Sequence, residues 1–164
     1  MTTAHIICGS TGAGKTTYSL TLKEETGGIL FTLDDWMQNL FFMDAPEPLT
    51  FEWAIERVER CEKQMLKLAQ QIFTAGNDII MDLGFFKKEQ RQKIINECIQ
   101  MGANIKFHYL PADADTRWRR VEKRNNEKGN TFSLHVNRDM FKFCEDLFEE
   151  PNEKELEGAI IVRS

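Results

Sequence analysis

No lysine or arginine occurs between Glu24 and Glu56, and no two of the four cysteines lie near one another. No apolar run approaches the roughly 20 residues that a bilayer span needs. Each absence excludes something. Cys8, Cys61, Cys98 and Cys144 make no CxxC pair and no metal-type spacing, so they read as reduced, mostly buried thiols rather than a disulfide framework or a zinc site. His5, His108 and His135 are scattered and read as structural or surface residues. The N-terminus has no signal-peptide pattern, so the expectation is a cytoplasmic chain without a membrane partner. A net charge of −5 counts against a nucleic-acid coat and against a polybasic membrane binder. Internal repeats and low-complexity stretches are lacking too.

What remains is an ordinary globular composition, 41% hydrophobic and 29% charged, in 164 residues. That length predicts a single domain, residues 1–164, with a sizeable core. Short apolar runs at Ala4–Cys8, Ile29–Leu33, Asp78–Met81, Ile105–Leu110 and Ala159–Val162 read as strands. Gly27-Gly28, Gly76-Asn77, Gly102 and Gly158 punctuate the last four. Helical spacing governs Phe51–Ala75, where Phe51, Ala54, Ile55, Val58, Cys61, Met65, Leu68 and Ile72 make one apolar stripe read as core, and Glu89–Met101. Asp44-Ala-Pro-Glu-Pro48 reads as a loop. Strand–helix alternation with near-continuous apolar strands predicts an α/β fold, a parallel sheet covered on both faces.

The first strand runs into Gly9-Ser10-Thr11-Gly12-Ala13-Gly14-Lys15-Thr16, which fits G-x-x-x-x-G-K-[ST] in full and is followed by Thr17 and a helical pattern. Glycines let such a loop curl until successive N–H groups point inward, a concave nest for phosphate oxygens. The helix that follows adds its unpaired amides and the positive end of its dipole. Lys15 would place a mobile charge on the β/γ oxygens, and the Thr16 hydroxyl would ligate Mg²⁺. A structural turn has no use for Lys-Thr at a helix start, so the segment reads as a nucleoside triphosphate site.

Ligands of open parallel sheets sit outside the carboxyl ends of the strands. Two further strands deliver acids there. Asp82 closes the apolar run 78–82, where it would hold Mg²⁺ directly or through water; the bland alternative is a cap or turn aspartate. Asp34 and Asp35 end the run 29–35, placed to orient an acceptor hydroxyl and take its proton. Alternation puts Asp34 on the side of Thr32 and favours it as the base, with Asp35 as competitor or helix cap. In "DADTRWRRVEKRN", residues 113–125, Arg117, Arg120 and Arg124 share a helix face. They could clamp phosphoryl oxygens or neutralise charge developing on them; the plain alternative is a solvated basic face. "NNEKGNTF" would be the tip of a lid spanning residues 113–132.

With these pieces placed, the chain resembles the small P-loop kinases: the kinase half of phage polynucleotide kinase, chloramphenicol phosphotransferase, zeta toxin and predicted kinases of unknown substrate. The likeness rests on "GSTGAGKTT", on "LDDW" and on "RWRRVEKRN", the last continuing into "GNTFSLHVNRDMFKFCEDLFEEP". It implies a three-layer α/β/α fold with a five-stranded parallel sheet of nucleoside-monophosphate-kinase type and a helical lid. It implies ATP and Mg²⁺ as cofactors, Lys15 and Thr16 on phosphates and metal, Asp34 as base, and Arg120 with Arg124 as lid arginines. Polynucleotide-kinase relatives carry an arginine shortly after the base aspartate; Met37 stands there instead. If the apolar stretch Trp36–Met43 lines the acceptor pocket, a small neutral or partly apolar hydroxyl compound is expected rather than a nucleotide or nucleic-acid end. The competing reading buries these aromatics and gives acceptor contacts to Lys87, Lys88 and Arg91. A phosphotransferase with an alcohol acceptor is therefore the leading expectation, against a nucleotide hydrolase or a non-catalytic nucleotide-binding module.

Overall fold

The computed structural model describes residues 1–129, 132 and 135–163. In chain order the elements are β1 (Thr3–Cys8), α1 (Lys15–Thr26), β2 (Ile29–Thr32), α2 (Leu33–Leu40), a single 3₁₀ turn (Phe42–Asp44), α3 (Phe51–Thr74), β3 (Ile79–Asp82), α4 (Lys88–Gln100), β4 (Asn104–Tyr109), α5 (Ala114–Glu127), α6 (Arg138–Leu147), α7 (Glu153–Leu156) and β5 (Ile160–Ile161). The five strands form one parallel sheet in the order β2-β3-β1-β4-β5. Its central strand, β1, is buried along its whole length.

Side-chain alternation divides the core into two layers. Ala4, Ile6 and Cys8 of β1 join Ile79 and Met81 of β3 on one face, beneath Cys61, Met65, Ala69 and Phe73 of α3 and Ile94 and Cys98 of α4. Ile7 and Ile80 point the other way, to Leu22 of α1. A satellite cluster of Val121, Val136 and Phe141, with Trp118 and Met140 around it, joins α5 to α6. All four cysteines are unpaired. Among the described residues no helix is long and apolar enough to cross a membrane.

Three boundaries differ from the sequence expectation, each for a local reason. Leu33 opens α2 rather than closing β2, because Thr32 takes the N-cap position in extended geometry and two acids follow in the first turn, where the helix dipole favours them. Asp34 and Asp35 therefore lie inside a helix, not at a strand end. The stripe on α3 is core only in its C-terminal two-thirds: Phe51 and Ile55 are exposed, and Thr50 caps the helix through its side chain. Helix α6, which the sequence reading left unassigned, starts at Asn137, whose side chain accepts from the Met140 amide.

His5 and His108 are both buried on the α1 face. His5 Nδ1 lies 2.9 Å from His108 Nε2, and Tyr18 Oη lies 2.9 Å from His108 Nδ1. Burial depresses both imidazoles, with Lys106 adding to the effect, and His108 falls to about 4. They form a neutral, hydrogen-bonded link between β1, β4 and α1.

Candidate functional site

The loop between β1 and α1 is shaped by glycine where no other residue fits. Gly12 and Gly14 have φ of 81° and 96°. A Cβ on Gly12 would stand 2.5 Å from the Arg117 carbonyl oxygen, whereas one on Gly14 would meet nothing closer than 4.0 Å, an Arg120 guanidinium nitrogen. The loop is thus pressed against α5 at Gly12 and open toward a ligand at Gly14. Gly14 is also the cap residue of α1 and supplies no side-chain cap, which leaves the first amides of α1 available to an anion. Ala13 N donates to Ser10 O at 3.0 Å and closes the turn.

Lys15 Nζ folds back onto Ser10 O at 3.2 Å. Thr16 Oγ1 donates to Asp82 Oδ2 at 3.0 Å, joining the loop to the end of β3. Asp82 is buried, and burial raises its carboxyl above the usual range. The Lys15 ammonium opposes that shift, Asp34 adds to it, the Thr16 hydroxyl opposes it, and Asp35 adds again. Asp34 and Asp35 themselves are exposed. Hydroxyl and carboxylate oxygens converging beside a phosphate cradle are the hard donor set that Mg²⁺ takes, and this set fits it.

The three arginines that the sequence aligned on α5 do share a face, but they do different things. Arg117 is buried and binds protein: Nε donates to Ala112 O at 3.0 Å, Nη1 to Ser10 Oγ at 3.1 Å and Thr11 O at 3.2 Å, and Nη2 meets Glu145 Oε1 at 2.6 Å. It ties the phosphate loop to α5 and α6. Arg120 Nη1 reaches Ala13 O at 3.3 Å. Arg124 carries a buried Nε without a hydrogen-bond partner among the described residues. Burial lowers its pKa, opposed by the charge of Asp34. An unsatisfied buried donor between a phosphate cradle and a carboxylate is the kind of group an anionic ligand would satisfy. Residues 130 and 131 of the expected lid tip lie outside the described residues.

Two of the alternative acceptor contacts are otherwise engaged. Arg91 is fully buried, paired with Glu155 at 2.7 Å and bonded to the Phe85 and Glu149 carbonyls. Lys87 pairs with Glu149 at 3.1 Å. Both hold α4 to the C-terminal segment. Lys88 lines a separate open groove of about 810 Å³ with Lys87, Gln92 and Lys93. In the stretch Trp36–Met43, Met37 is core, Trp36, Phe41 and Phe42 are half-buried against the core, and Leu40 and Met43 are exposed.

The sequence reading passed over α6. Burial raises the Cys144 thiol, the Thr11 side chain and the Lys15 charge oppose the shift, and Asp34 adds to it; the next residue, Glu145, pairs with Arg117, which bonds Thr11 O. Phe143 meets Phe51 of α3 edge-on, ring centroids 5.6 Å apart. One turn of α6 therefore links the phosphate loop, through Arg117, to the start of α3. Nothing local in the sequence signals these contacts, which only the fold creates.

A family model described as an AAA domain matches residues 5–150. No curated protein matches the chain by sequence. Among solved structures, the chain is similar to a candidate kinase from Chloroflexus aurantiacus, with a TM-score of 0.75 at 16% identity over 99% of this chain and 88% of that one. It is also similar to Kti12 from Chaetomium thermophilum in complex with ADP-AlF3, with a TM-score of 0.70 at 13% identity over 98% and 88% of the two chains. A gluconokinase from Sinorhizobium meliloti gives 0.60 at 14% identity, over 98% and 82%. At these identities the likeness is one of fold, that of the small P-loop kinases.

Proposed function

We propose that this chain, which belongs to the AAA domain family, is an ATP- and Mg²⁺-dependent kinase that transfers the γ-phosphoryl group to a hydroxyl of a small molecule. The observation that carries this reading is the position of Asp34. It is an exposed carboxylate on the first turn of α2, two residues past Thr32, which pairs with Asp82 across the β2–β3 ladder, and Asp82 in turn accepts from Thr16 of the phosphate loop. Simple binding would use the loop without a carboxylate at the mouth of the site, and the acceptor dependence of turnover distinguishes transfer to an alcohol from transfer to water.

Gly9 to Thr17 cradle the phosphates, with Lys15 leaving the Ser10 carbonyl to meet the β/γ oxygens. Thr16 and Asp82 would hold Mg²⁺, whose charge offsets that of the triphosphate. Asp34 orients the acceptor hydroxyl and accepts its proton as the oxygen bonds to phosphorus; ADP leaves with the bridging oxygen. Arg120 and Arg124 contact the nucleotide phosphates and balance charge on the transferred group. Residues 113–132 close over bound nucleotide as a lid, and Arg117 holds the cradle in shape.

The test is turnover of MgATP by Asp34→Asn against a panel of alcohols, with phosphorylated product followed by ³¹P resonance. Acceptor-dependent ADP production falls about 10²–10⁴-fold, the usual range for a lost general base, while MgATP affinity stays within about threefold. Phosphate release without an acceptor, undiminished in the variant, identifies a hydrolase instead.

A further inference from the structure

Charge is divided unevenly along this chain, and the division coincides with the two sides of the site. Residues Glu24 to Glu56 contain eight acids and no base; the other residues contain eighteen acids and twenty-one bases. The acidic tract includes β2, α2, the 3₁₀ turn and the first residues of α3. The triphosphate side, with Lys15, Arg120 and Arg124, carries the positive charge.

The same tract exposes apolar surface that packing does not explain. Leu40, Met43, Leu49, Phe51 and Ile55 are all exposed, as is Phe143, which the Phe51 contact joins to them. This surface adjoins the site, because Phe143 lies two residues before Glu145, which pairs with Arg117, itself bonded to Ser10 and Thr11 of the phosphate loop. The arm also shows what chemistry it accepts. Arg57 of α3 lies with its guanidinium carbon 4.4 Å from the Trp53 ring centroid and 2.9 Å from Glu56 Oε2. Phe42 stacks on the same indole. A cation is thus held there between an aromatic face and a carboxylate.

Resting on the kinase reading, we infer that the acceptor is a cationic hydroxyl compound, an amino alcohol with an apolar body, drawn to the acidic, aromatic arm between β2 and α3. An anionic acceptor would meet Asp34, Asp35, Asp44, Glu47 and Glu52, and the nearest cation of the arm, Arg57, is already engaged by Trp53 and Glu56. A cleft lined by one sign of charge concentrates the opposite sign. The apolar body covers Phe51 and its exposed neighbours, and the ammonium takes the place facing the acids. The hydroxyl reaches Asp34.

Binding and transfer separate this inference from the kinase reading. Aryl and alkyl amino alcohols, their N-acetyl derivatives and the matching hydroxy acids are titrated by calorimetry into protein saturated with Mg²⁺ and a non-hydrolysable ATP analogue. The same compounds are offered with MgATP. Affinity follows ammonium over neutral over carboxylate, about tenfold per step, and the ammonium preference shrinks as salt rises. Glu47→Lys/Glu52→Lys removes most of that preference and leaves the neutral derivatives unaffected. Tight ammonium binding without phosphorylation upholds the cation preference of the arm but sinks the kinase reading and, with it, the assignment of the amino alcohol as acceptor. Binding and phosphorylation of the hydroxy acids equal to or better than the amino alcohols upholds the kinase reading and overturns the inference. Absence of binding by any amino alcohol, or a preference unchanged in the double variant, overturns the inference.

Discussion

Replacing Arg117 by methionine separates two roles for this side chain, ligand of the nucleotide or brace of the loop that holds it. The structure predicts a brace. Methionine keeps the apolar stem against Phe141, over which the guanidinium lies at 5.2 Å, and removes every donor. Lost are hydrogen bonds to Ala112 O, Ser10 Oγ and Thr11 O and the pair with Glu145. At about 1 kcal/mol for each bond to a neutral acceptor and about 1.5–3 for the charged one, the gross loss is some 4–6 kcal/mol. Glu145 is 39% exposed and can turn to water, so the charged contribution largely disappears and about 2–4 kcal/mol remains. For a domain of this size that is a fall in Tm of roughly 5–15 °C, present without nucleotide. MgATP affinity falls about tenfold because the loop must be ordered on binding. Differential scanning calorimetry with and without MgATP reads both. A variant with an unchanged nucleotide-free Tm and a large loss of MgATP affinity refutes the brace and makes Arg117 a direct ligand.

Gly12→Ala asks the loop to place a Cβ 2.5 Å from the Arg117 carbonyl at a φ of 81°; calorimetric MgATP binding falls more than about 100-fold and stability by about 1–3 kcal/mol. The buried histidines predict an acid-sensitive fold. His108 stays neutral to about pH 4 in the folded state and protonates near 6.5 when unfolded. Stability is therefore lost as pH falls from about 6.5 to 4, at most about 1.4 kcal/mol per pH unit. The lowered His5 reinforces this and Asp78 opposes it. Urea midpoints for wild type and His108→Asn between pH 7 and 4.5 should converge as pH falls; parallel curves refute the assignment.

The sheet was legible because apolar strands punctuated by glycine leave few alternatives to a parallel α/β arrangement, and β1, β3 and β4 came within a residue of their expected bounds. Strand β5 shrank to Ile160 and Ile161, both exposed at the sheet edge, where pairing on one side alone supports it. The phosphate loop was legible because its spacing is dictated by phosphate geometry. Asp35 was expected to begin or cap the next helix, but Asp34 was read on the strand, since strand alternation and a first helical turn look alike over four residues. Arg117 was placed on the α5 face and given a ligand's role, because the Ser10 hydroxyl, the Thr11 carbonyl and Glu145 become its partners only when the loop and α6 fold against α5. The exposed start of α3 was equally hidden: an apolar stripe does not say where the sheet beneath it ends.

Strand order has a mechanical consequence. The loop springs from β1, the middle of five strands, clamped by β3 on one side and β4 on the other. The acidic arm hangs from the β2 border of the sheet, while the arginine helix follows β4 on the opposite flank. Helix α6 bridges the two wings, packing on the arginine helix through Phe141 and on the arm through the Phe143–Phe51 contact, so a displacement of either flank is felt by the other across a stationary hub.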